Sequence, residues 1–505
     1  MATKKTATRE SVTKKSAAKT ATAAAGSERV SVRMYRQGLG DCFLITFSGA
    51  SGKAFHMLID CGVVLGTPDP TTSMKKVVSD ITSVTGGQVD LLVVTHEHWD
   101  HVSGFVQAQD VFDNLTIREV WVAWTEDPAD ELANKLRAER RTAENALRMA
   151  VNHLALAGDT DTAQQVDSLV GFFGATSGST SEALNYVKKR APEGKPRYCK
   201  PGEPPIELPE LPGICFYVLG PPRDEALIKK SNPGQNQAYG LDAGPGGSQA
   251  LLVAGLMGAA AGAGSVGDDS LENPFDDMYA IPMARAAQVP FFEKRYFGDS
   301  TDGGLYEKSS SKEIRDQSWR RIDSAWMGAS ETMALQLDSA TNNTSLVLAI
   351  EVVATGEILL FPGDAQAGNW LSWQDLKWEV EGKTVTGPDL LARTTFYKVG
   401  HHGSHNATLK AKGLELMVND ALVAMIPVDH AMAVKKHWGR IPLPELVDRI
   451  KEKTHGRMLK MDDDVKTAAD LADLAKLKPD DVNAGDWKEF ADRVQVTELY
   501  YEIVI

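Results

Sequence analysis

The sequence predicts an α/β chain in which two β-sheets face each other and helices cover their outer sides, a four-layer sandwich broken by a large insertion. Three observations carry that prediction. From Arg29 onward, short apolar or alternating runs recur between glycine turns, as strands do. Leu91-Leu92-Val93-Val94-Thr95 has an unbroken apolar core, which suits a strand buried on both faces. The strand-like runs also fall into two groups, before residue 223 and after residue 340, with helical spacing between them.

Residues 1–28 hold Ala, Thr, Ser and Lys with almost nothing to bury, the composition of a disordered basic tail. The tail reads as a solvated leader, with a tether to nucleic acid or another anionic surface as the sharper alternative. The first half of the fold, 29–222, opens with strands at Val30–Arg36, Cys42–Phe47, Phe55–Ile59, Leu91–Thr95 and Ile117–Trp124. Over 129–157, Leu132, Leu136, Ala143, Leu147, Val151 and Leu154 fall near one helical face. Arg137, Arg140 and Arg141 lie on the opposite, solvated face. A second helix is expected over 160–172. The Pro- and Gly-rich stretch 191–213 reads as a long surface loop leading into strand Ile214–Leu219.

The insertion, 223–340, contains Ala243–Gly267, which carries no charge in 25 residues but has eight glycines. So few large apolar side chains make it a lid or loop rather than a membrane span, and no stable membrane insertion is expected. The second half, 341–505, includes a C-terminal extension. Ser345–Val353 and Glu357–Phe361 read as a strand pair, followed by strands at Thr395–Val399, Leu422–Ile426 and Thr497–Val504. Helices are expected over 408–419 and 443–453.

Composition narrows the function. Hydrophobic residues make up 43% and charged residues 24%, enough for a sizeable core. With 54 Lys plus Arg against 68 Asp plus Glu, the net charge of −14 excludes the broad basic coat of a non-specific nucleic-acid binder. Cys42, Cys61, Cys199 and Cys215 are too scattered for a disulfide scaffold and read as buried hydrophobes of a reducing compartment. The N-terminal lysines have no apolar core behind them, so a cytoplasmic location is the default expectation.

The chemistry concentrates in Thr95-His96-Glu97-His98-Trp99-Asp100-His101, three imidazoles and a carboxylate crowded behind a buried strand. A turn at a strand end can aim His96 and His98 at one metal and Asp100 and His101 at a second. Imidazole with carboxylate suits zinc, manganese or iron without thiolate. Two distant segments extend the pattern: Gly363-Asp364 and Gly400-His401-His402-Gly403-Ser404 each end a predicted strand.

The unbroken His-x-His-x-Asp-His run resembles the metallo-β-lactamase superfamily. Gln37-Gly38-Leu39-Gly40-Asp41, Leu58-Ile59-Asp60-Cys61-Gly62, Asn342-Asn343-Thr344-Ser345, Gly363-Asp364 and His401-His402-Gly403-Ser404 further resemble the soluble hydrolase domain of the bacterial competence DNA-uptake protein ComEC. The resemblance implies an αββα sandwich with a two-metal site between the sheets. It implies that His96 and His98 hold the first metal, that Asp100, His101 and either His401 or His402 hold the second, and that Asp364 bridges them. Asp60 would orient a ligand through a hydrogen bond. The superfamily's further His on the first metal has one candidate, His153, in mid-helix; otherwise Asn343 or solvent fills that position. Relatives of the competence type often carry a carboxylate where this chain has His98, a change that favours softer metals over magnesium.

The expected cofactors are two divalent ions, zinc first and manganese as the alternative. The expected activity is a phosphodiesterase or nuclease using metal-activated water, with nucleic acid or a nucleotide as substrate. A hydrolase of esters, thioesters or lactones is the alternative, and an inactive binding or regulatory subunit is a further one. Asp100, Asp60 and His405 are the candidate catalytic residues; His405 and Lys398 are the candidates to protonate the leaving group, with a structural role as the alternative for each. Ser404 and the Gly403 turn offer hydrogen bonds to a substrate oxygen. Trp370, Trp373 and Trp378 read as core packing, and Lys435, Lys436, His437 and Arg440 as a solvated basic run with phosphate contact as the alternative.

Overall fold

The computed structural model describes residues 29–48, 53–156, 180–234, 339–436, 440–463 and 484–505, with a few isolated positions between them. Two mixed sheets dominate. The first runs in the order Val494–Val496, Tyr500–Val504, Arg29–Tyr35, Phe43–Ser48, Ala54–Ile59, Leu91–Val94, Val120–Ala123 and Arg197–Cys199. The second runs Met458–Lys460, Val423–Ile426, Thr394–Lys398, Glu357–Phe361, Val347–Val352, Leu211–Gly220 and Ile206–Leu208.

Side-chain alternation builds the layers. Successive residues of a strand point to opposite faces. Leu91 and Val93 therefore join the core between the sheets with Phe216, Leu348, Phe361 and Phe396. Leu92 and Val94 point outward onto Val78, Phe105 and Leu184 of the covering helices. All four residues of Leu91–Val94 are buried, each contributing about 1.5–3 kcal/mol on leaving water. The second sheet repeats the device: Tyr217, Leu360 and Tyr397 face Trp370, Leu391 and Ile450 on its outer side.

Local signals set the helices. Pro70–Thr85 has proline in its first turn and left-handed Gly86 at its end. With Trp99–Gln107 and Thr180–Arg190 it covers the first sheet. Ala367–Ser372, Gly387–Ala392 and Pro444–Lys453 cover the second. Thr386 and Asp389 form a reciprocal capping box at the start of Gly387–Ala392.

The two halves exchange strands. Tyr500–Val504 returns to pair antiparallel with Arg29–Tyr35, Ser31 opposite Val504. Leu211–Gly220, from the first half, pairs with Val347–Val352 in the second sheet. Around the site, strands run parallel: Ala54–Ile59 with Leu91–Val94 in one sheet, and Glu357–Phe361 with Thr394–Lys398 in the other. All four point their carboxyl ends at one place, where open α/β sheets gather ligand-binding loops.

Several sequence expectations need correction. The stretch 191–213 is no simple surface loop, because Arg197–Cys199 edges the first sheet and Ile206–Leu208 edges the second. Edge strands tolerate the surrounding prolines, whose missing N–H costs nothing on an unpaired side. The strand expected over Ile117–Trp124 breaks at Arg118 and Glu119, and Trp124–Glu126 turns as a 3₁₀ helix. No α-helix forms over 408–419. Leu414–Leu416 makes one 3₁₀ turn there, while tertiary partners take backbone groups: the Trp370 indole donates to Ala407 O and Gln237 O accepts from Lys410 N. Of the expected helix 160–172, only 163, 164, 166 and 167 are described, all helical; Ala243–Gly267 and the tail lie outside the described residues. Among the described residues, no helix is long and apolar enough to cross a membrane.

Candidate metal centre

Asp60 ends its strand in a left-handed backbone conformation, φ 55°. That turn aims its carboxylate back across the neighbouring strand end. One oxygen accepts from the Thr95 backbone N–H at 2.8 Å; the other accepts from the Thr95 hydroxyl at 2.7 Å and meets His101 Nδ1 at 2.8 Å. With Nδ1 held by a carboxylate, His101 turns Nε2 inward, 3.2 Å from Asp364 Oδ2. Trp99–Gln107 starts within the histidine run, so Asp100 sits in a helical first turn where negative charge is favoured.

Close backbone approach is needed to seat this turn. A β-carbon on Gly62 would lie 2.4 Å from the Asp100 carbonyl carbon, and one on Gly40, 2.6 Å from its oxygen. Glycine at both positions lets the loops at 37–41 and 60–62 pack directly on the Asp100 peptide.

The second sheet supplies the other wall. His401 and His402 both have positive φ, 45° and 52°, a conformation that costs on the order of 1–3 kcal/mol per non-glycine residue. It presents both rings inward. His402 Nδ1 donates to Pro427 O at 2.6 Å, which leaves Nε2 2.9 Å from Asp100 Oδ2. His401 Nδ1 meets the Ser404 hydroxyl at 2.8 Å, and its Nε2 lies 3.4 Å from Asn342 Nδ2. Asp364 Oδ1 accepts from the His401 backbone N–H at 3.1 Å and from Lys398 Nζ at 3.2 Å.

One donor atom from each of Asp100, His101, Asp364 and His402 lies within 4.8 Å of the others, and all four residues are buried. His96 and His98 stand beside this group: His96 Nε2 is 3.0 Å from His98 Nδ1 and 3.1 Å from Asn342 Oδ1. His101 Nε2 meets carboxylate oxygens alone, of Asp364 at 3.2 Å and Asp100 at 3.8 Å, and the buried Asp100 Oδ1 has no hydrogen-bond partner. Such orphans are rare in folded proteins and call for an ion or water.

Charge states divide along the same lines. Burial pushes the imidazoles of His96, His98 and His401 below their ordinary range, His98 to about 3 and His401 to about 4. They stay neutral and keep lone pairs. Burial also works against charge on His101 and His402, but the carboxylates around them outweigh it and hold both up. Burial would raise Asp100, yet His101 and His402 hold it at about 2. Lys398 is held charged by Asp41 and Asp364 despite full burial.

The fold therefore gathers His96, His98, Asp100, His101, Asp364, His401, His402 and Asp60. His405 is exposed, and no hydrogen bond or ion pair joins it to the group. Lys398 spends its protons on Asp41, Gly363 O and Asp364, so it braces carboxylates rather than donating to a leaving group. Asn343 points away: its amide donates to the Leu227, Ile228 and Lys230 carbonyls, and Asn342 is the amide that meets the histidines. His153 falls in helix Glu131–Leu156, its side chain outside the described residues. Sequence reasoning gave Asp41 and Asn342 no role. Their one signal was membership of the Gly-Asp and Asn-Asn runs that flank predicted strands.

The model of the Metallo-beta-lactamase superfamily matches residues 35–145. That stretch holds Asp41, Asp60 and the whole of 96–101. No curated protein and no solved structure matches the chain.

Proposed function

We propose that this chain is a dinuclear-metal hydrolase that cleaves phosphodiesters of nucleic acid or a nucleotide. The observation that carries the metal reading is the buried group Asp100, His101, Asp364 and His402, drawn from three separated segments with one donor each inside 4.8 Å. The donor set, imidazole and carboxylate, fits divalent cations, and the buried Asp100 Oδ1 has no hydrogen-bond partner. His96 and His98 would hold a first ion; Asp100, His101 and His402, with His401 alongside, a second; Asp364 would lie between. When bound, the two cations supply Lewis acidity, making water nucleophilic near neutral pH and offsetting charge on the attacked centre.

The chain's own residues do the positioning. Asp60 fixes His101 through Nδ1 and Pro427 O fixes His402 through Nδ1, the outer contacts that orient metal-binding histidines. Lys398 holds the Asp41 and Asp364 carboxylates in place. Zinc suits the imidazole-rich donor set, with manganese next. The free, buried cysteines support a reducing, cytoplasmic setting.

Metal analysis paired with a substrate panel tests the reading. The expected result is bound divalent ion and metal-dependent release of p-nitrophenol from bis(p-nitrophenyl) phosphate, abolished in Asp364→Ala. Turnover of esters or lactones but not of the phosphodiester would overturn the substrate; bound metal without any turnover would overturn the enzyme.

A further inference from the structure

Helix Glu131–Leu156 was expected to display Arg137, Arg140 and Arg141 to solvent. Arg141 is exposed as expected, but Arg137 and Arg140 are partly buried, and the helix forms one wall of a cavity of about 280 Å³ with the start of helix Thr180–Arg190 opposite. Five cations line it, Arg137, Arg140, Arg141, Arg148 and Lys188, against three carboxylates. In a chain of net charge −14, that local excess of positive charge runs against the average.

The carboxylates are taken. Glu97 accepts from Arg140 and, at 3.1 Å, from the Thr180 hydroxyl. Glu126 pairs with Lys188 at 3.0 Å, and Glu144 lies 3.7 Å from Arg140. Arg137 is spent on the carbonyls of Thr125 and Asp127. Arg141 and Arg148 remain. Both are exposed and line the cavity; among the described residues no hydrogen bond or ion pair engages either guanidinium, and the carboxylate nearest along their helix is Glu144, whose carboxyl both favour in its charged form. Seven residues apart, they stand on one helical face about 10 Å from each other along the axis. Ser181, in the first turn of the facing helix beside Glu182, adds a hydroxyl. Two planar guanidinium forks and a hydroxyl form a donor set matched to a phosphate group.

We propose that this cavity is an oxyanion site that takes a phosphate ester or free phosphate through Arg141 and Arg148, separate from the carboxylate and imidazole group. The site does not depend on the hydrolase reading. Its floor is shared with the metal centre's loop, however, because Arg140 holds Glu97 between His96 and His98. Occupancy of the cavity therefore bears on the residue that links the two candidate ligands.

Calorimetric titration of the full-length protein at fixed ionic strength tests this, with inorganic phosphate, adenosine 5′-monophosphate and a short single-stranded oligonucleotide as probes. Phosphate and the monophosphate should bind wild type, at least tenfold more weakly in Arg141→Ala/Arg148→Ala, and within twofold of untreated wild type after a chelator has removed divalent ion. The single reversal Arg148→Glu should weaken binding as well; both altered side chains are exposed, so circular dichroism should show an unchanged fold. Tighter binding of the oligonucleotide that is lost in the same double variant would place the phosphate on a strand, and equal or weaker binding would place it on a small molecule; both support the site. The proposal is overturned if the double variant binds like wild type, if chelation alone abolishes binding, or if chloride displaces phosphate as well as sulfate does at equal ionic strength.

Discussion

Two groups of buried charge flank residues 96–98, and they are built from different cations. On one side, Asp100, Asp364 and Asp60 face imidazoles; on the other, Glu97, Glu126 and Glu144 face guanidiniums and a lysine. Imidazole can release its proton and offer a lone pair in its place, so its group can exchange protons for a metal ion. Guanidinium cannot, being always charged and without an acceptor. The same loop thus carries a site whose charge can be replaced by a cation and a site whose charge can only be met by an anion.

The comparison breaks most sharply at Asp364. Asp364→Ala removes the carboxylate that lies 3.2 Å from His101 Nε2 and accepts from both Lys398 and the His401 backbone. The expected loss of hydrolysis is about 10³-fold or more, about 4 kcal/mol of transition-state stabilisation. Metal content measured alongside should fall too. Retained activity would mean the chemistry lies elsewhere.

Removing one cation from each side sharpens the contrast. Lys398→Met leaves Asp41 and Asp364 buried without their ammonium, and Arg140→Met leaves Glu97 without its guanidinium. Unpairing a buried charge costs about 3–5 kcal/mol, so both variants should unfold at lower denaturant when stripped of metal. Divalent ion should stabilise both variants, as it would wild type, but should recover a larger share of the loss in Lys398→Met, where it also meets the unpaired Asp41 and Asp364 carboxylates. Equal rescue of both would erase the distinction.

Asp60→Asn is a gentler test. It keeps shape but weakens the hold on His101 Nδ1, a contact now 2.8 Å long to a charged oxygen. Outer contacts of this kind are worth roughly 10–100-fold in metal affinity. Competition with a chelator should read a shift in that range with the fold unchanged.

How much of this was legible in the sequence follows the range of the forces involved. Leu91–Val94 and the helix from Glu131 declared themselves, because burial on one or both faces imprints a period on neighbouring residues. Asp60 and the 96–101 cluster were visible as residue types at strand ends. Asp41, Asn342 and the true duty of Lys398 were not, since each acts across the gap between sheets on partners far along the chain. Arg140 misled for the same reason: its helical position is polar, and only the loop at Glu97, 43 residues earlier, makes that position an interior one. The edge strands at 197–199 and 206–208 were hidden by prolines that a central strand would not accept.

The smallest expected effect comes from a charge pair at the surface rather than beside the loop. Glu415 accepts from Arg449 Nε at 2.8 Å and from the Tyr239 hydroxyl at 2.8 Å, and the Arg449 bond in particular holds its carboxyl at about 2 against an ordinary 4.5. A carboxyl held lower in the folded chain stabilises it above the unfolded value, and that stabilisation fades as pH falls from about 4.5 toward 2. Solvent still reaches this partly exposed pair and screens it, so the contribution is modest. Melting temperatures of wild type and Glu415→Gln should therefore differ slightly at pH 6, with wild type higher, and the gap should narrow below pH 4.5 and close near pH 2. A gap that stays constant over that interval would assign the difference to lost packing instead of charge, and would leave Arg449 as a spacer for Pro444–Lys453 rather than an ionic anchor.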